Sequence, residues 1–393
     1  MSSHRRLVWF TLGLLAAFFA WRMVRPLHIF AVADRFALPV AVAALPAPLA
    51  SLSAEGCVGC HPAIADEWRT SVHRQAWDDP YYQVDRRFDG DPQVCLNCHT
   101  PFAAQQRERV LGFRDRARWQ PLLAPNPDFD AALQHEGVTC LACHLDVASG
   151  ALLGPHGDSG APHPTRRMAD PNQVCFRCHV VDNRGWDTHF RIPPCGTVAE
   201  IEQAGALPDC VACHMESVAR PAAQGSPVRT GHRHLWRGGH DPATVAAAVR
   251  VEVAERPPPA PGERSFALTL TNTGAAHALP TGTPDRHLTA TFRLLDRAGR
   301  EVAEQTHRLR RAILWRPFIV DLWDTRLVRD RPRTFVFRVP ATSSNPPATL
   351  EVVVRYHLLD ERRRLRIGYA NRAPIAYDLF RRRIDLGAGP PAG

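Results

Sequence analysis

One five-residue pattern, Cys-x-x-Cys-His, occurs five times along this chain of 393 residues. It begins at Cys57, Cys95, Cys140, Cys175 and Cys210, and it takes ten of the eleven cysteines. C-x-x-C-H is the attachment pattern of c-type haem, in which two thiols form thioethers and the next histidine ligates the iron. The short gap lets both sulfurs reach one macrocycle while the histidine turns under its centre. Zinc ribbons also use C-x-x-C pairs, but they need no histidine after each pair. A redox C-x-x-C occurs once, in a βαβ setting, and five disulfides would carry no such fixed local grammar. The expected cofactor is therefore haem c, five copies covalently attached. Its thioether positions are Cys57 and Cys60, Cys95 and Cys98, Cys140 and Cys143, Cys175 and Cys178, and Cys210 and Cys213. The expected proximal ligands are His61, His99, His144, His179 and His214. Cys195 is left over and reads as an idle thiol.

The first cysteines of successive motifs lie 38, 45, 35 and 35 residues apart. That is too little chain to build a separate core around each site, so short helices, many loops and closely packed macrocycles are expected. The best helix candidate in this region runs from Pro101 to Trp119, with charges spread around it. After Asp241-Pro242 the texture changes. Val249, Val251 and Val253 alternate with polar residues, as do Phe266, Leu268 and Leu270, then Leu288, Ala290, Phe292 and Leu294. Phe335, Phe337 and Val339 follow, then Leu350, Val352, Val354, Tyr356 and Leu358. Period-two alternation between turn-rich gaps predicts half-buried antiparallel strands. The expected fold class is α+β and multidomain: a loop-rich, mainly helical haem domain followed by an antiparallel β-sandwich of immunoglobulin-like type. The expected divisions are 1–25, an apolar helix; 26–53, an Ala/Pro-rich spacer; 54–243, the pentahaem domain; and 244–393, the β-sandwich.

Haem c is attached outside the cytoplasmic membrane, so the chain must be exported. Arg5 and Arg6 precede an uncharged apolar run from Leu7 to Trp21, an n-region followed by an h-region. Arg22 follows that run directly and no small-residue cleavage site stands beside it, which favours a retained signal-anchor. Arg22, Arg25 and Arg35 on the outside oppose the positive-inside rule. The expected location is the periplasmic side of the cytoplasmic membrane, single-pass if the helix is retained and soluble if it is cleaved.

All 48 basic residues are arginine, which excludes lysine as a haem ligand or base. Counting Arg against Asp plus Glu gives +4 for residues 1–50 (5 minus 1), −4 for 51–250 (19 minus 23) and +9 for 251–393 (24 minus 15). Two propionates per haem make the middle region more acidic still. A basic chain suggests nucleic acid first, but export and haem exclude that partner, and a solvated or docking arginine face fits better.

Six-coordinate haem needs a distal ligand. Nineteen histidines less five proximal ones leave an ample supply, whereas Met168 and Met215 are the only methionines beyond the N-terminal segment. His135, five residues before Cys140, is a reserve candidate by position. Several stretches resemble the multihaem cytochrome c superfamily that includes the nitrifier tetrahaem carriers and the hydroxylamine-oxidoreductase relatives. "EWRTSVHRQAW" resembles the segment after the first haem site whose histidine is distal, which implies His73. "EGVTCLACH" resembles the family's entry to a haem site. "GAPHPTRRMADPNQVCFRCH" implies His163 in the same way. "CHMESVAR" with "GHRHLWRGGHDP" resembles the family's ending and implies His234 and His240. "TNTGAAHALPTGTPDRHL" resembles a signature at the start of a C-terminal β-domain and implies that His277 reaches back to a haem. The chain departs from the family in having five sites rather than four or eight. Its five tyrosines, Tyr81, Tyr82, Tyr356, Tyr369 and Tyr377, match no family motif for a cross-linked haem.

The expected function is electron transfer, with redox proteins and a membrane or quinol-linked donor as partners. The alternative is a multihaem oxidoreductase acting on a small nitrogen or sulfur oxyanion at one five-coordinate haem. No substrate pocket is visible in the sequence, so a carrier is favoured over a catalyst.

Overall fold

A computed structural model describes residues 3–24, 34–116, 118–157, 160–179, 197–203, 205, 207, 209–258, 260–314, 320–339 and 347–387. Cys195 lies outside the described residues.

The alternating C-terminal stretches form two antiparallel sheets. One has the order Arg333–Val339, Arg264–Asn272, Val249–Arg256; the other has the order Glu301–Leu309, His287–Leu295, Thr349–His357, Ala376–Asp385. Period two places every second side chain on the same face. Leu288, Ala290, Phe292 and Leu294 therefore align with Tyr356, Val354, Val352 and Leu350 across one ladder. Phe266 and Leu268 align with Phe337 and Phe335 across the other. The two inner faces share one core, in which the rings of Phe292 and Phe337 stack at 5.3 Å between the sheets. Leu268, Leu270, Leu288, Phe292, Val352 and Val354 are essentially water-free there. At about 25 cal/mol per Å² of apolar surface, burial of this core contributes strongly to the stability of the C-terminal unit.

The haem region has a different make-up. Its helices are short, and the C-x-x-C-H sequences form several of them: Glu55–Val58, Gln93–His99, Cys140–His144, Phe176–His179 and Cys210–His214. Between them lie small sheets, such as Ser217–Pro221 against Val228–His232. The mainly helical expectation is therefore corrected to short helices mixed with ribbons.

Two further expectations differ. Pro101 to Trp119 is not a helix: Glu108–Phe113 pairs with Pro121–Pro125 as a hairpin. Gln105 is buried and donates to the carbonyls of Leu133 and Gly137, while Asp115 accepts the amides of Trp119 and Gln120. Phe113 and Trp119 then close over Phe36 and Ala37, so tertiary packing overrides local helix propensity. The Ala/Pro-rich stretch is not a free spacer either. Val40, Val42, Leu45, Leu49 and Leu52 cover the buried cluster of Phe102, Leu141 and Leu145, and Val40 exchanges backbone hydrogen bonds with Pro101 and Ala103.

The N-terminal run forms the helix Ser3–Val24, with exposed Leu7, Trp9 and Phe10. Among the described residues, no helix is long and apolar enough to cross a membrane. Arg5, Arg6 and Arg22 bracket the uncharged run and leave it shorter than the about 20 residues that a span requires. The membrane-spanning anchor is thus unsupported by this helix.

Candidate functional site

The second, third and fifth motif helices hold both cysteines and the histidine, whereas the first, Glu55–Val58, ends before Cys60 and His61 and the fourth, Phe176–His179, begins after Cys175. Four of the five motif histidines have Nδ1 fixed by a backbone carbonyl. His61 pairs with Ala222 O at 2.7 Å, His99 with Ala76 O at 2.6 Å, His144 with Leu153 O at 2.7 Å and His214 with Arg237 O at 2.8 Å. A carbonyl accepts only, so Nδ1 carries the proton and Nε2 keeps its lone pair for a metal. The chain therefore presents two thiols and an imidazole oriented through Nδ1 at these sites, the donor set that haem c requires.

Three of these histidines face another histidine. The ring centres of His179 and His73 are 6.2 Å apart, those of His144 and His234 are 6.1 Å apart, and those of His214 and His277 are 6.4 Å apart. Two imidazoles on opposite sides of one metal, each bonded at about 2.0 Å, place their ring centres roughly 6 Å apart. Burial also favours the ligating form. It holds His73 down to about 3 and His234 down to about 4, and it lowers His99, His144, His179 and His277. Neutral imidazoles are thus the rule at pH 7.

His73 is positioned by the "EGV" that precedes the third motif. Glu136 accepts the Ser53 hydroxyl at 2.5 Å and the Ala54 amide at 2.8 Å, tying this stretch to the start of the first motif helix. The Val138 amide donates to His73 O at 3.0 Å, and Trp68 Nε1 donates to Val138 O at 2.8 Å. Between them Gly137 has φ +63°, and a Cβ there would stand 2.7 Å from His73 O. Only glycine suits both demands. Gly137→Ala is expected to push the His73 backbone aside and convert the haem on His179 partly to high spin. Electron paramagnetic resonance of the holoprotein checks this, and a wild-type spectrum would refute it.

The other expected distal residues do not fall opposite a motif histidine among the described residues. His135 is on the surface, with its side chain 61% exposed and Nδ1 2.6 Å from Asp78 Oδ1. His163 has a buried Nδ1 with no hydrogen-bond partner. His240 turns Nε2 toward Arg286 Nη2, 3.5 Å away. Three residues were not singled out from the sequence. Trp236 meets the rings of both His73 and His234 edge-on, at 4.6 and 5.1 Å. His232 has Nδ1 on Met215 O at 2.8 Å, as the motif histidines have theirs on carbonyls. Tyr82 stacks on His99 at 3.6 Å, and its buried hydroxyl has no partner. A tyrosine outside any motif gives no sequence signal for that role.

The sites adjoin one another. The sulfur of Cys57 lies close enough to that of Cys140 to interact with it, as does that of Cys178 with Cys98 and that of Cys175 with Cys210. Cys143 also lies close enough to Cys178 to feel its charge. The fourth site therefore borders the second, third and fifth, and the first borders the third.

Residues 56–117, which hold the first two motifs, match the family model described as Cytochrome c554 and c-prime. The fold as a whole matches the crystal structure of a penta-heme cytochrome c552 from Thermochromatium tepidum, with a TM-score of 0.64 and 18% identity. That match covers 85% of this chain and 98% of the other. The family match over the first two motifs and the shared fold together support a multihaem cytochrome c. A glycosyl hydrolase family 2 member from Bacteroides cellulosilyticus also aligns over 35% of this chain and 13% of its own, at 12% identity. Its TM-score of 0.17 carries no argument. No curated protein matches the chain. For a multihaem cytochrome, adjoining sites and paired buried histidines are the features that decide what it can do.

Proposed function

We propose that this cytochrome is an exported pentahaem electron-transfer protein, with one haem c on each C-x-x-C-H motif. The three histidine pairs at ring separations near 6 Å carry this reading. Bound at these sites, haem c supplies a one-electron iron couple whose potential follows ligand and burial. The chain supplies the rest. His73, His234 and His277 would close the irons held by His179, His144 and His214. Backbone carbonyls fix the tautomer of the proximal rings, and the contacts between motif thiols support a continuous branched relay with the fourth site at its centre.

The C-terminal unit contributes to that relay through His277. Leaving aside the hairpin of Arg311–Leu314 with Val320–Asp324, its strand order, with first, second and fifth strands in one sheet and third, fourth, sixth and seventh in the other, supports an immunoglobulin-like description. It grips the haem region through Arg363 on Asp85 at 2.6 Å and Tyr377 Oη on Gly239 O at 2.7 Å. We also propose that the exposed helix Ser3–Val24 directs export and keeps the chain at the periplasmic face of the membrane, near a membrane or quinol-linked donor. Release of the intact chain by a salt wash would contradict retention.

Mass spectrometry of the purified holoprotein tests the main reading. The expected mass exceeds that of the polypeptide by five haems, and fewer covalent haems would sink the pentahaem relay. One observation favours the second reading, an oxidoreductase of a small nitrogen or sulfur oxyanion. Neither His61 nor His99 has a second histidine ring against it among the described residues, and Tyr82, stacked flat on the His99 ring, does not stand across from Nε2. A high-spin component that shifts on adding cyanide or nitrite would support that reading.

A further inference from the structure

At the seam between the haem region and the sheets, one arginine has no counter-ion. Arg286 precedes the strand His287–Leu295, and its guanidinium is enclosed by two glycines. A Cβ at Gly239 would stand 3.1 Å from Arg286 Nη1 and 2.9 Å from Tyr356 Oη. Gly282, at φ +93°, would place one 3.3 Å from the same Nη1. The guanidinium interacts with the Tyr356 hydroxyl, whose residue is 2% exposed, and Nη2 is 3.5 Å from His240 Nε2. Its charge reaches His179.

Three other arginines with little exposure are neutralised. Arg326 holds Glu200 and Asp324, Arg363 holds Asp85 and Asp89, and Arg220 holds Glu67. Arg286 has no ion pair among the described residues. The carboxylates near this cluster are engaged elsewhere. Asp79 accepts the amides of Tyr81 and Tyr82, Asp241 accepts the Thr244 amide and lies by Arg237, and Asp285 interacts with Arg363. A half-buried guanidinium with only neutral partners keeps its fork available, and that fork matches a two-oxygen anion.

We propose that Arg286, His240 and Tyr356 form an oxyanion-binding site, filled by a carboxylate or a carboxylate-like ion. The inference rests on the pentahaem reading, because the carboxylate nearest in kind is a haem propionate at the adjoining fourth site. A free small oxyanion presents the same chemistry. Arg286 supplies the charge and the fork, Tyr356 supplies a hydroxyl donor, and His240, whose Nε2 accepts from Arg286 Nη2, holds the guanidinium in place.

Spectropotentiometric titration of the holoprotein, with and without acetate as the probe, tests the site. If a propionate fills it, Arg286→Gln lowers one haem midpoint potential, Arg286→Lys largely restores it, and acetate does nothing to the wild type. If the occupant is a free oxyanion, acetate shifts one midpoint in the wild type and none in Arg286→Gln. Unchanged midpoints in Arg286→Gln together with an acetate-insensitive wild type overturn the proposal. Should Arg286→Gln fail to load its haems, Tyr356→Phe carries the test. It is expected to move the same midpoint, and an unmoved one refutes the site. Haem count by mass spectrometry is read on every sample, so a protein with fewer than five haems in the wild type would refute the pentahaem reading instead.

Discussion

His277→Ala is expected to turn one of the haems from low spin to high spin and leave the others as they were. The ring of His277 lies parallel to that of His214, with 5° between their planes and 6.4 Å between their centres. Its loop is braced against drift. Asn272 donates to His277 O at 2.9 Å and accepts the Ala275 amide at 2.9 Å, while Leu279 and Leu327 exchange both backbone hydrogen bonds. Nδ1 sits 2.9 Å from Ala278 O, so Nε2 is the free nitrogen. Alanine leaves this brace intact and removes only the imidazole. The effect should therefore appear in the spin state before it appears in folding. His277→Met restores six-coordination and should raise the potential of the same haem, because a thioether favours the reduced iron. His135→Ala is the control: its side chain is 61% exposed and should change no haem signal. Low-spin signals of full intensity in His277→Ala would remove the ligand role.

These expectations show which parts of the molecule are legible in one dimension. The five C-x-x-C-H motifs could be found in the sequence because covalent haem attachment, where it occurs, demands a fixed local spacing. The strands around Leu268, Phe292 and Val352 were readable because half-burial imposes period two. That His73, His234 and His277 lie near motif histidines could be expected only through resemblance, since residues that meet from different parts of the chain obey no local spacing. His135 shows the limit of position alone: five residues before Cys140, it points to solvent and Asp78. Pro101 to Trp119 failed as a helix for a tertiary reason, the closure of Phe113 and Trp119 over Phe36. The stretch 36–52 looked like a linker because alanine and proline carry little periodic signal, yet its scattered Val and Leu fill the cluster around Phe102.

Glu67→Ala is expected to cost about 3 kcal/mol and to loosen two haem sites at once. Glu67 lies on the helix Pro62–Arg69, directly after the first motif. Its two oxygens accept from Arg220 Nη1 and Nη2 at 2.7 and 2.8 Å, and Arg233 Nη1 adds a bond at 3.0 Å. Oε2 also accepts the backbone amide of His234 at 2.8 Å. The strand that carries Arg220 runs on to Ala222, whose carbonyl fixes His61. One carboxylate thus anchors both the segment that orients His61 and the segment that carries His234. Removing it strands Arg220, only 16% exposed, and leaves an amide unpaired, whereas the more exposed Arg233 loses little. Breaking an enclosed pair on one side typically costs about 3–5 kcal/mol, and the partial exposure of Arg233 places this case at the lower end. Burial pushes the Glu67 carboxyl up, but the bonds from Arg220 and the His234 amide, with the charge of Arg233, outweigh it and hold it below its ordinary value. The folded form therefore binds the proton less readily than the unfolded form. The stabilisation is complete above the ordinary carboxylate range and is lost as pH falls through the lowered value. Denaturant titration of the holoprotein, followed at the haem Soret band, should show a lower midpoint in Glu67→Ala, with the gap from wild type closing in acid. Glu67→Gln keeps one acceptor oxygen without the charge and should fall between the two. A stability gap that persists unchanged in acid would show that Glu67 acts by packing rather than by charge. Wild-type stability and an unaltered low-spin signal in Glu67→Ala would leave His234 positioned by its strand alone.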